Sequence, residues 1–82
     1  MALFLGVHDM GQAVPEEQMT GGWQAYKAAC EKRGCKALHA HISPETGKAF
    51  CITEASSADE VQAAHDAANV PLKEIVPIKT VE

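Results

Sequence analysis

Alternating apolar and polar positions from residue 35 to residue 54 predict a β-hairpin, and the other elements are arranged around it. The two arms are residues 35–42 and residues 48–54. Between them, residues 43–47 contain Pro44 and Gly47 at positions that turns favour. The segment is therefore interpreted as two antiparallel strands joined by a five-residue turn.

The two faces of this hairpin differ in chemistry. One face carries the larger apolar side chains Leu38, Ile42, Phe50 and Ile52, together with Ala40. The opposite face carries small residues together with two imidazoles and a thiol, namely Ala37, His39, His41, Ala49, Cys51 and Thr53. We expect this second face to point away from the core and to hold the candidate chemistry.

Apolar periodicity also predicts the strand and the helix that precede the hairpin. Residues 2–8 are apolar on both faces, which is typical of a strand at the centre of a sheet. A helix is predicted over residues 15–33, with an acidic first turn and with Gly34 as its C-terminal stop.

Glycines lie inside both of these elements. Gly6 in the strand permits a bulge or a close approach by another group. Gly21 and Gly22 in the helix each cost about 1 kcal/mol relative to alanine. Either the helix begins near Gly22, or the two glycines let another backbone pack close to it.

A second helix and a final strand follow the hairpin. The helix is predicted to start at a capping box and to end near residue 69. The capping box is formed by one of two pairs, Ser57 with Glu60 or Ser56 with Asp59. Residues 72–81 are predicted as a strand, and Pro77 assigns it to a sheet edge because proline has no amide hydrogen for pairing.

The element order is βαββαβ, which predicts a single ferredoxin-like α+β domain over residues 1–82. Its antiparallel sheet is expected to have the order 4-1-3-2, with both helices on one face. In the first strand, one set of side chains is expected to face the helices and the other to point outward: Leu3, Leu5 and Val7 inward, and Phe4, Gly6 and His8 outward. Because so small a domain has only a marginal core, we expect a homodimer through or near the uncovered face.

Composition and charge exclude several classes of partner. The chain has a net charge of −4 and no cluster of lysine or arginine, so we expect neither nucleic acid nor an anionic membrane as a partner. No apolar run approaches the roughly 20 residues of a membrane span, and the first residues lack the features of a signal peptide. Three cysteines without a C-x-x-C spacing indicate free thiols in the reducing cytoplasm.

Candidate metal ligands gather on the outward face of the predicted sheet. The topology brings His8 and His41 to the same end, separated by the small residue Ala49, so their rings can meet around one ion. In the predicted register, His39 lies directly opposite Cys51. Imidazole, thiolate and carboxylate donors suit nickel, zinc or copper. The candidate ligands on this face are His8, His39, His41 and Cys51, with Asp9, Glu45 and Glu54 near its margins.

Each of these residues also has an ordinary structural interpretation. A histidine on a half-exposed strand is usually a polar surface residue, and Cys51 is more often a small buried apolar residue than a ligand. His65 on the second helix is most often a core or interface histidine. Because side chains alternate along a strand, a shift of one residue would also turn His8 to the other face.

Three segments carry a recognisable pattern, namely residues 7–10 (VHDM), residues 47–65 (GKAFCITEASSADEVQAAH) and residues 69–75 (NVPLKEI). Together they resemble a family of bacterial domains of unknown function that are about this long and include a small nickel-binding protein. The family shows a G-K-x-(F/Y)-C-x-x-E-A-(P/S) strand running into the second helix, a histidine late in that helix and a G-x-P-x-x-x-I lead to the last strand. The resemblance covers nearly the whole chain and implies a ferredoxin-like fold, dimerisation and nickel binding.

Four residues match the family pattern by position, namely His8, Cys51, Glu54 and His65. His39 and His41 lie where that pattern is loose, so their assignment depends on the strand geometry alone. The chain departs from the pattern with Asn69 where glycine is common and with Gly21 and Gly22 inside the first helix.

Three hypotheses follow for the function. The first is a cytoplasmic, homodimeric metal-binding protein. Its expected ion is nickel (Ni²⁺), with zinc and copper as alternatives. Its ligands are expected to be His8, His39 and His41 first, then His65, Asp9 or Glu54, with water completing the shell. The second is a small-molecule-binding protein or an enzyme with an acid–base histidine in a dimer cleft, which a deep apolar pocket with a perturbed histidine at its floor would favour. The third is a regulatory or structural module whose histidines are incidental. Across the three hypotheses, we expect a binding protein rather than an enzyme.

Overall fold

Six elements follow one another in the computed structural model, which describes all 82 residues. They are β1 (Ala2–Asp9), α1 (Glu16–Arg33), β2 (Lys36–Ser43), β3 (Lys48–Ala55), α2 (Ala58–Ala67) and β4 (Glu74–Ile78). The strands form one antiparallel sheet in the order β2-β3-β1-β4, which confirms the predicted ferredoxin-like fold and the central place of β1. β4 lies at an edge and contains Pro77, as predicted, but is shorter than the predicted strand over residues 72–81.

Local sequence features account for where the two helices begin and end. Glu16 and Glu17 place negative charge on the first turn of α1, and Gly34 ends this helix in the left-handed conformation with a φ of 83°. At the start of α2, the Ser57 hydroxyl accepts a hydrogen bond of 3.2 Å from the Glu60 amide, so this is the capping pair that forms. Neither helix is both long enough and apolar enough to cross a membrane.

Neither of the two predicted explanations for Gly21 and Gly22 is correct. α1 runs continuously through both glycines, so the helix does not begin at Gly22. No neighbouring group lies within 4 Å of the position that a Cβ would take at either residue, so no other backbone packs against them. Gly22 instead borders an open cavity beside α1.

The side of the sheet that faces the helices is the opposite of the predicted one. Five residues of the two central strands are buried on the helix side, namely Phe4, Gly6, Cys51, Thr53 and Ala55. The prediction that Leu3, Leu5 and Val7 face the helices is wrong, because strand alternation places them on the uncovered side. The sheet presents mostly small side chains to the helices, and large side chains from the helices, such as Tyr26 and His65, fill the core.

The hairpin register differs from the predicted one by one residue. Ser43 pairs with Lys48, so the turn contains four residues rather than five. The pairs from Ser43 back to His39 shift in consequence, and Ala40 rather than His39 lies opposite Cys51. A one-residue shift of this kind exchanges the two faces of a strand.

A β-bulge in β2 restores the predicted register for Lys36 and Ala37, which pair with Glu54 and Thr53. The register shifts at Leu38, which has no partner on β3 and is exposed. Between the bulge and the turn, His39 pairs with Ile52 and His41 pairs with Phe50. Both histidines therefore lie on the face of the sheet that no helix covers.

The uncovered side of the sheet, called the open face below, carries a continuous group of apolar side chains. Seven half-buried residues form it, namely Leu3, Leu5, Val7, Phe50, Ile52, Val76 and Ile78. Leu5 lies at the centre, between Ile52 of β3 and Val76 of β4. The open face is thus more apolar than the solvent-exposed side of an ordinary sheet.

Candidate metal centre

His8, Cys51 and His65 meet between the sheet and α2, and their ligand atoms all lie within 4.8 Å of one another. The Cys51 Sγ is 3.4 Å from the His8 Nε2 and 3.5 Å from the His65 Nε2. Cys51 and His65 are buried, and His8 is half-buried. These three residues are called the His–Cys cluster below.

Strand pairing and one helix bring the cluster together. Gly6 lies directly opposite Cys51, and His8 follows two residues later on the same face of β1. Gly6 leaves the space that the thiol occupies, since a Cβ at this position would lie 2.5 Å from the Cys51 Sγ. This is the close approach that a glycine inside β1 was predicted to allow. His65 reaches the cluster from the buried side of α2.

Backbone carbonyl groups fix the orientation and the tautomer of both imidazoles. The His8 Nδ1 donates a hydrogen bond of 2.7 Å to the Pro71 carbonyl oxygen, and the His65 Nδ1 donates one of 2.8 Å to the Val61 carbonyl oxygen. Because a carbonyl oxygen only accepts, each Nδ1 carries the hydrogen and each Nε2 directs a lone pair at Cys51. Metal-binding histidines are usually held by such a bond from the other ring nitrogen.

The cluster contains more hydrogen-bond acceptors than donors. Both Nε2 atoms accept, whereas the Cys51 thiol has a single hydrogen and can satisfy only one of them. A cation between the three atoms would use both nitrogen lone pairs and the sulfur.

The two nitrogen–sulfur separations fit a metal ion, whereas the two imidazole nitrogens, which lie within 4.8 Å of each other, would be roughly 3.3 Å apart at a tetrahedral centre. Metal–nitrogen bonds of about 2.0–2.1 Å and a metal–sulfur bond of about 2.3 Å separate nitrogen and sulfur by roughly 3.6 Å at a tetrahedral centre and by roughly 3.1 Å at a right angle. The two observed separations, 3.4 Å and 3.5 Å, are closer to the tetrahedral value. Two imidazoles and one thiolate form a donor set for borderline and soft transition metals.

Burial keeps all three groups uncharged at neutral pH. Desolvation lowers the pKa of His65 to about 4, and it also lowers the pKa of His8. Desolvation raises the pKa of the Cys51 thiol to about 11. A thiolate–imidazolium pair of the kind used in nucleophilic catalysis requires the opposite shifts. The imidazoles are therefore ready to donate lone pairs, and the thiol keeps its proton until a cation displaces it.

Tyr26 of α1 packs directly against the cluster. Its ring stacks on the His65 ring with centroids 3.9 Å apart, and its hydroxyl forms a hydrogen bond of 2.5 Å with the Thr53 hydroxyl. Burial raises the pKa of the Tyr26 phenol well above its usual value, so the group stays neutral. The His65 ring is thus fixed both by stacking and by its bond to the Val61 carbonyl.

The expected patch of His8, His39, His41 and Cys51 on the outward face is wrong. His8 and Cys51 lie on the helix side, whereas His39 and His41 are exposed on the open face with ring centroids 5.3 Å apart. The change of register and the inverted face of β1 together separate these two pairs. Instead, His65 joins His8 and Cys51.

The two carboxylates among the predicted ligands also lie outside the His–Cys cluster. Asp9 accepts a hydrogen bond of 2.9 Å from the Gly11 amide, and its carboxylate is 3.5 Å from the Lys73 ammonium. The Gly11 amide first, and Lys73 with it, lowers the pKa of Asp9. Glu54 lies on the open face, where it pairs with Leu3 of β1 on one side and with Lys36 of β2 on the other.

A cavity of about 250 Å³ opens onto the cluster. All three cluster residues line it, and its walls are mainly apolar, with contributions from Met19, Trp23, Tyr26, Ile42 and Val70. No aspartate, glutamate, lysine or arginine lines it. The cavity matches the apolar pocket with a perturbed histidine that favours small-molecule binding, but it lies within one chain rather than in a dimer cleft. Gly22 also lines the cavity, which the sequence analysis did not predict. A glycine inside a helix was the one feature of the sequence that could have indicated this open space.

Comparisons with known proteins agree on one family. A family model described as nickel responsive protein SCO4226-like matches residues 4–78. Among solved structures, the crystal structure of SCO4226 from Streptomyces coelicolor A3(2) is similar, with a TM-score of 0.89 and 26% sequence identity. That similarity covers 99% of this chain and 100% of the other. No curated protein matches the chain.

Proposed function

The chain belongs to the SCO4226-like family of nickel-responsive proteins, and we propose that it binds nickel at the His–Cys cluster. His8, Cys51 and His65 would supply two imidazole nitrogens and one thiolate sulfur. The observation that carries this proposal is the orientation of the two imidazoles. Carbonyl groups hold both rings so that both Nε2 lone pairs are directed at the same sulfur atom.

Two observations bear on the choice of ion. The family is named for a response to nickel. The nitrogen–sulfur separations of 3.4 Å and 3.5 Å are closer to those of tetrahedral zinc. Nickel at right angles would require these atoms to approach by roughly 0.3–0.4 Å. Zinc and copper are therefore the competing ions, and direct competition on the purified chain decides among them.

The experiment is elemental analysis of untagged protein, followed by calorimetric titration of the metal-free chain with nickel and with zinc. We expect one ion per cluster. His8→Ala, Cys51→Ser and His65→Gln should each weaken binding by at least tenfold, because each removes one ligand.

His39→Ala and His41→Ala are the matched controls, since they remove imidazoles from the same sheet but from its other face. Their affinity for nickel should equal that of the wild type. Loss of binding in these controls, with binding retained in the cluster variants, would assign the metal to the exposed histidine pair and overturn the proposal.

The open face is proposed to join two copies of the chain in a homodimer. Its seven apolar side chains are contiguous and have no helix above them. A contiguous apolar surface of this kind on a small domain is typical of an interface. Burying it against a second copy would also enlarge the limited core of a chain of 82 residues.

A reducing compartment such as the cytoplasm is part of the same proposal. Cys30, Cys35 and Cys51 are all free thiols. A cysteine can bind a metal only in its reduced form, so oxidation of Cys51 would abolish the centre.

Small-molecule binding is a second candidate function, and the apolar cavity favours it. The two imidazoles at its floor have lowered pKa values, so they are neutral and can accept hydrogen bonds at neutral pH. A ligand screen on the metal-free chain tests this candidate. A ligand that binds equally well to the wild type and to Cys51→Ser would show that the cavity works without a metal.

A further inference from the structure

We propose that the cavity beside the His–Cys cluster binds a small molecule with a ring-sized body that is apolar and uncharged, and with one nitrogen donor. The donor nitrogen completes the coordination of the ion, and the body lies along the apolar wall. This role presupposes the metal binding proposed for the cluster.

Histidine and cysteine side chains supply three ligand atoms at this point. No other histidine, cysteine or carboxylate joins the group of His8, Cys51 and His65. Asp9, the nearest carboxylate in sequence to His8, is occupied by the Gly11 amide and by Lys73. Metal centres with three protein ligands keep a position for water or for a molecule from outside.

The open side of the cluster faces the cavity. All three cluster residues line the cavity. On the side of β1, the sulfur is closed off by the backbone at Gly6, where not even a Cβ would fit. A molecule from outside therefore reaches the cluster through the cavity rather than through the sheet.

The walls determine the class of ligand. Apolar and aromatic side chains such as Met19, Trp23 and Ile42 line the cavity, and no charged side chain is present to pair with an anion or a cation. A ligand whose body is apolar and uncharged is therefore favoured, since the walls offer no partner for a charge away from the ion. An apolar cavity of about 150 Å³ holds one benzene ring, so the 250 Å³ available here accommodates a ring together with its donor group.

Gly22 keeps the α1 side of the cavity open. Glycine inside a helix is destabilising relative to alanine, yet the space beside Gly22 contains no neighbouring group. Gly21 is equally free of neighbours, but it is exposed and does not line the cavity. The two residues provide a variant and its matched control, because Gly22→Leu extends into the cavity whereas Gly21→Leu extends into solvent.

The test uses the nickel-loaded full chain, freed of excess metal and titrated with 4-phenylimidazole or with imidazole. Both probes offer the same kind of donor nitrogen, but only 4-phenylimidazole has a large apolar body. Binding is followed by calorimetry and by the thiolate-to-nickel absorption. We expect 4-phenylimidazole to bind the wild type at least tenfold more tightly than imidazole. Gly22→Leu should abolish this preference, and Gly21→Leu should retain it.

The outcomes separate this inference from the metal proposal. A chain that takes up no nickel overturns metal binding before any probe is added. Stoichiometric nickel with equal affinity for the two probes overturns the cavity ligand and leaves metal binding intact. An equal preference for 4-phenylimidazole in the metal-free chain would overturn coordination by the probe. Because the comparison of probes on the wild type decides the matter, poor folding of Gly22→Leu does not affect it.

Discussion

Gly6 lies directly opposite Cys51 in the antiparallel pairing of β1 with β3, and a Cβ at Gly6 would lie 2.5 Å from the Cys51 sulfur. The same Cβ would lie 3.1 Å from Leu72 and 3.5 Å from the His65 ring. The absence of a side chain on β1 therefore sets the position of the sulfur. With the sulfur in that position, both imidazole nitrogens of the cluster come within 3.5 Å of it.

Gly6→Ala is expected to weaken nickel binding by at least tenfold, because the added methyl group displaces the thiol from the two imidazoles. Overpacking of this kind also lowers the free energy of unfolding by about 1–3 kcal/mol. Calorimetry and urea unfolding measure the two effects. Gly21→Ala is the control: its affinity should be unchanged, and its stability should rise by about 0.5–1 kcal/mol. Full nickel affinity in folded Gly6→Ala would contradict this role for the glycine.

The metal-free chain should lose stability as the pH falls from about 6.5 toward 4. His65 has a folded-state pKa of about 4, below its ordinary value of 6.5, so within this window the unfolded chain binds a proton that the folded chain does not. The contribution of His65 is complete above pH 6.5 and declines by at most about 1.4 kcal/mol per pH unit. His8 acts in the same direction, since its pKa is also lowered.

Urea unfolding at a series of pH values measures this dependence. His65→Gln lacks the titrating imidazole, so its free energy of unfolding should change less steeply between pH 6.5 and 4. Since carboxyl groups titrate in both chains, the difference between the two slopes isolates His65. Identical slopes would mean that His65 is not held neutral by burial.

Nickel binding should release about one proton at pH 7.5. The Cys51 thiol has a pKa of about 11 and must lose its proton to become a ligand, whereas the two imidazoles are already neutral. The affinity should therefore rise about tenfold per pH unit between pH 7 and 8. Calorimetry in buffers of different ionisation enthalpy counts the protons. Cys51→Ser should release none, and a wild type that released none would exclude thiolate ligation.

Leu5→Glu should convert the proposed dimer into a monomer without affecting the metal centre. Leu5 lies at the centre of the open face, and a carboxylate there cannot be buried against a second copy without a large cost. Sedimentation measures the mass, and nickel titration checks the cluster. Val81→Glu is the control, because Val81 is exposed and lies outside the sheet. A monomeric wild type would contradict the dimer.

The sequence was sufficient for the fold because its elements are delimited by strong local signals. Gly34 stops α1, the Ser57 capping box starts α2, and Pro77 restricts β4 to an edge. These signals act over a few residues and do not depend on how the layers pack. They therefore determined the order of the elements and, with it, the topology of the sheet.

The site was harder to predict because its position depends on which face each strand presents. A turn of four residues instead of five moves His39 away from Cys51, and the bulge at Leu38 confines that shift to the turn side of the hairpin. Local sequence patterns do not indicate how far α2 reaches over the sheet, and that distance brings His65 to the sulfur. His8, Cys51 and His65 were all named as candidates, but their juxtaposition depends on tertiary packing.

X-ray absorption at the nickel edge of the loaded, untagged chain tests the central claim most directly. The proposed centre predicts one sulfur neighbour and two imidazoles around each nickel ion, and it predicts that the sulfur disappears in Cys51→Ser. A spectrum of nitrogen and oxygen neighbours only, unchanged by that substitution, would contradict nickel binding at the His–Cys cluster.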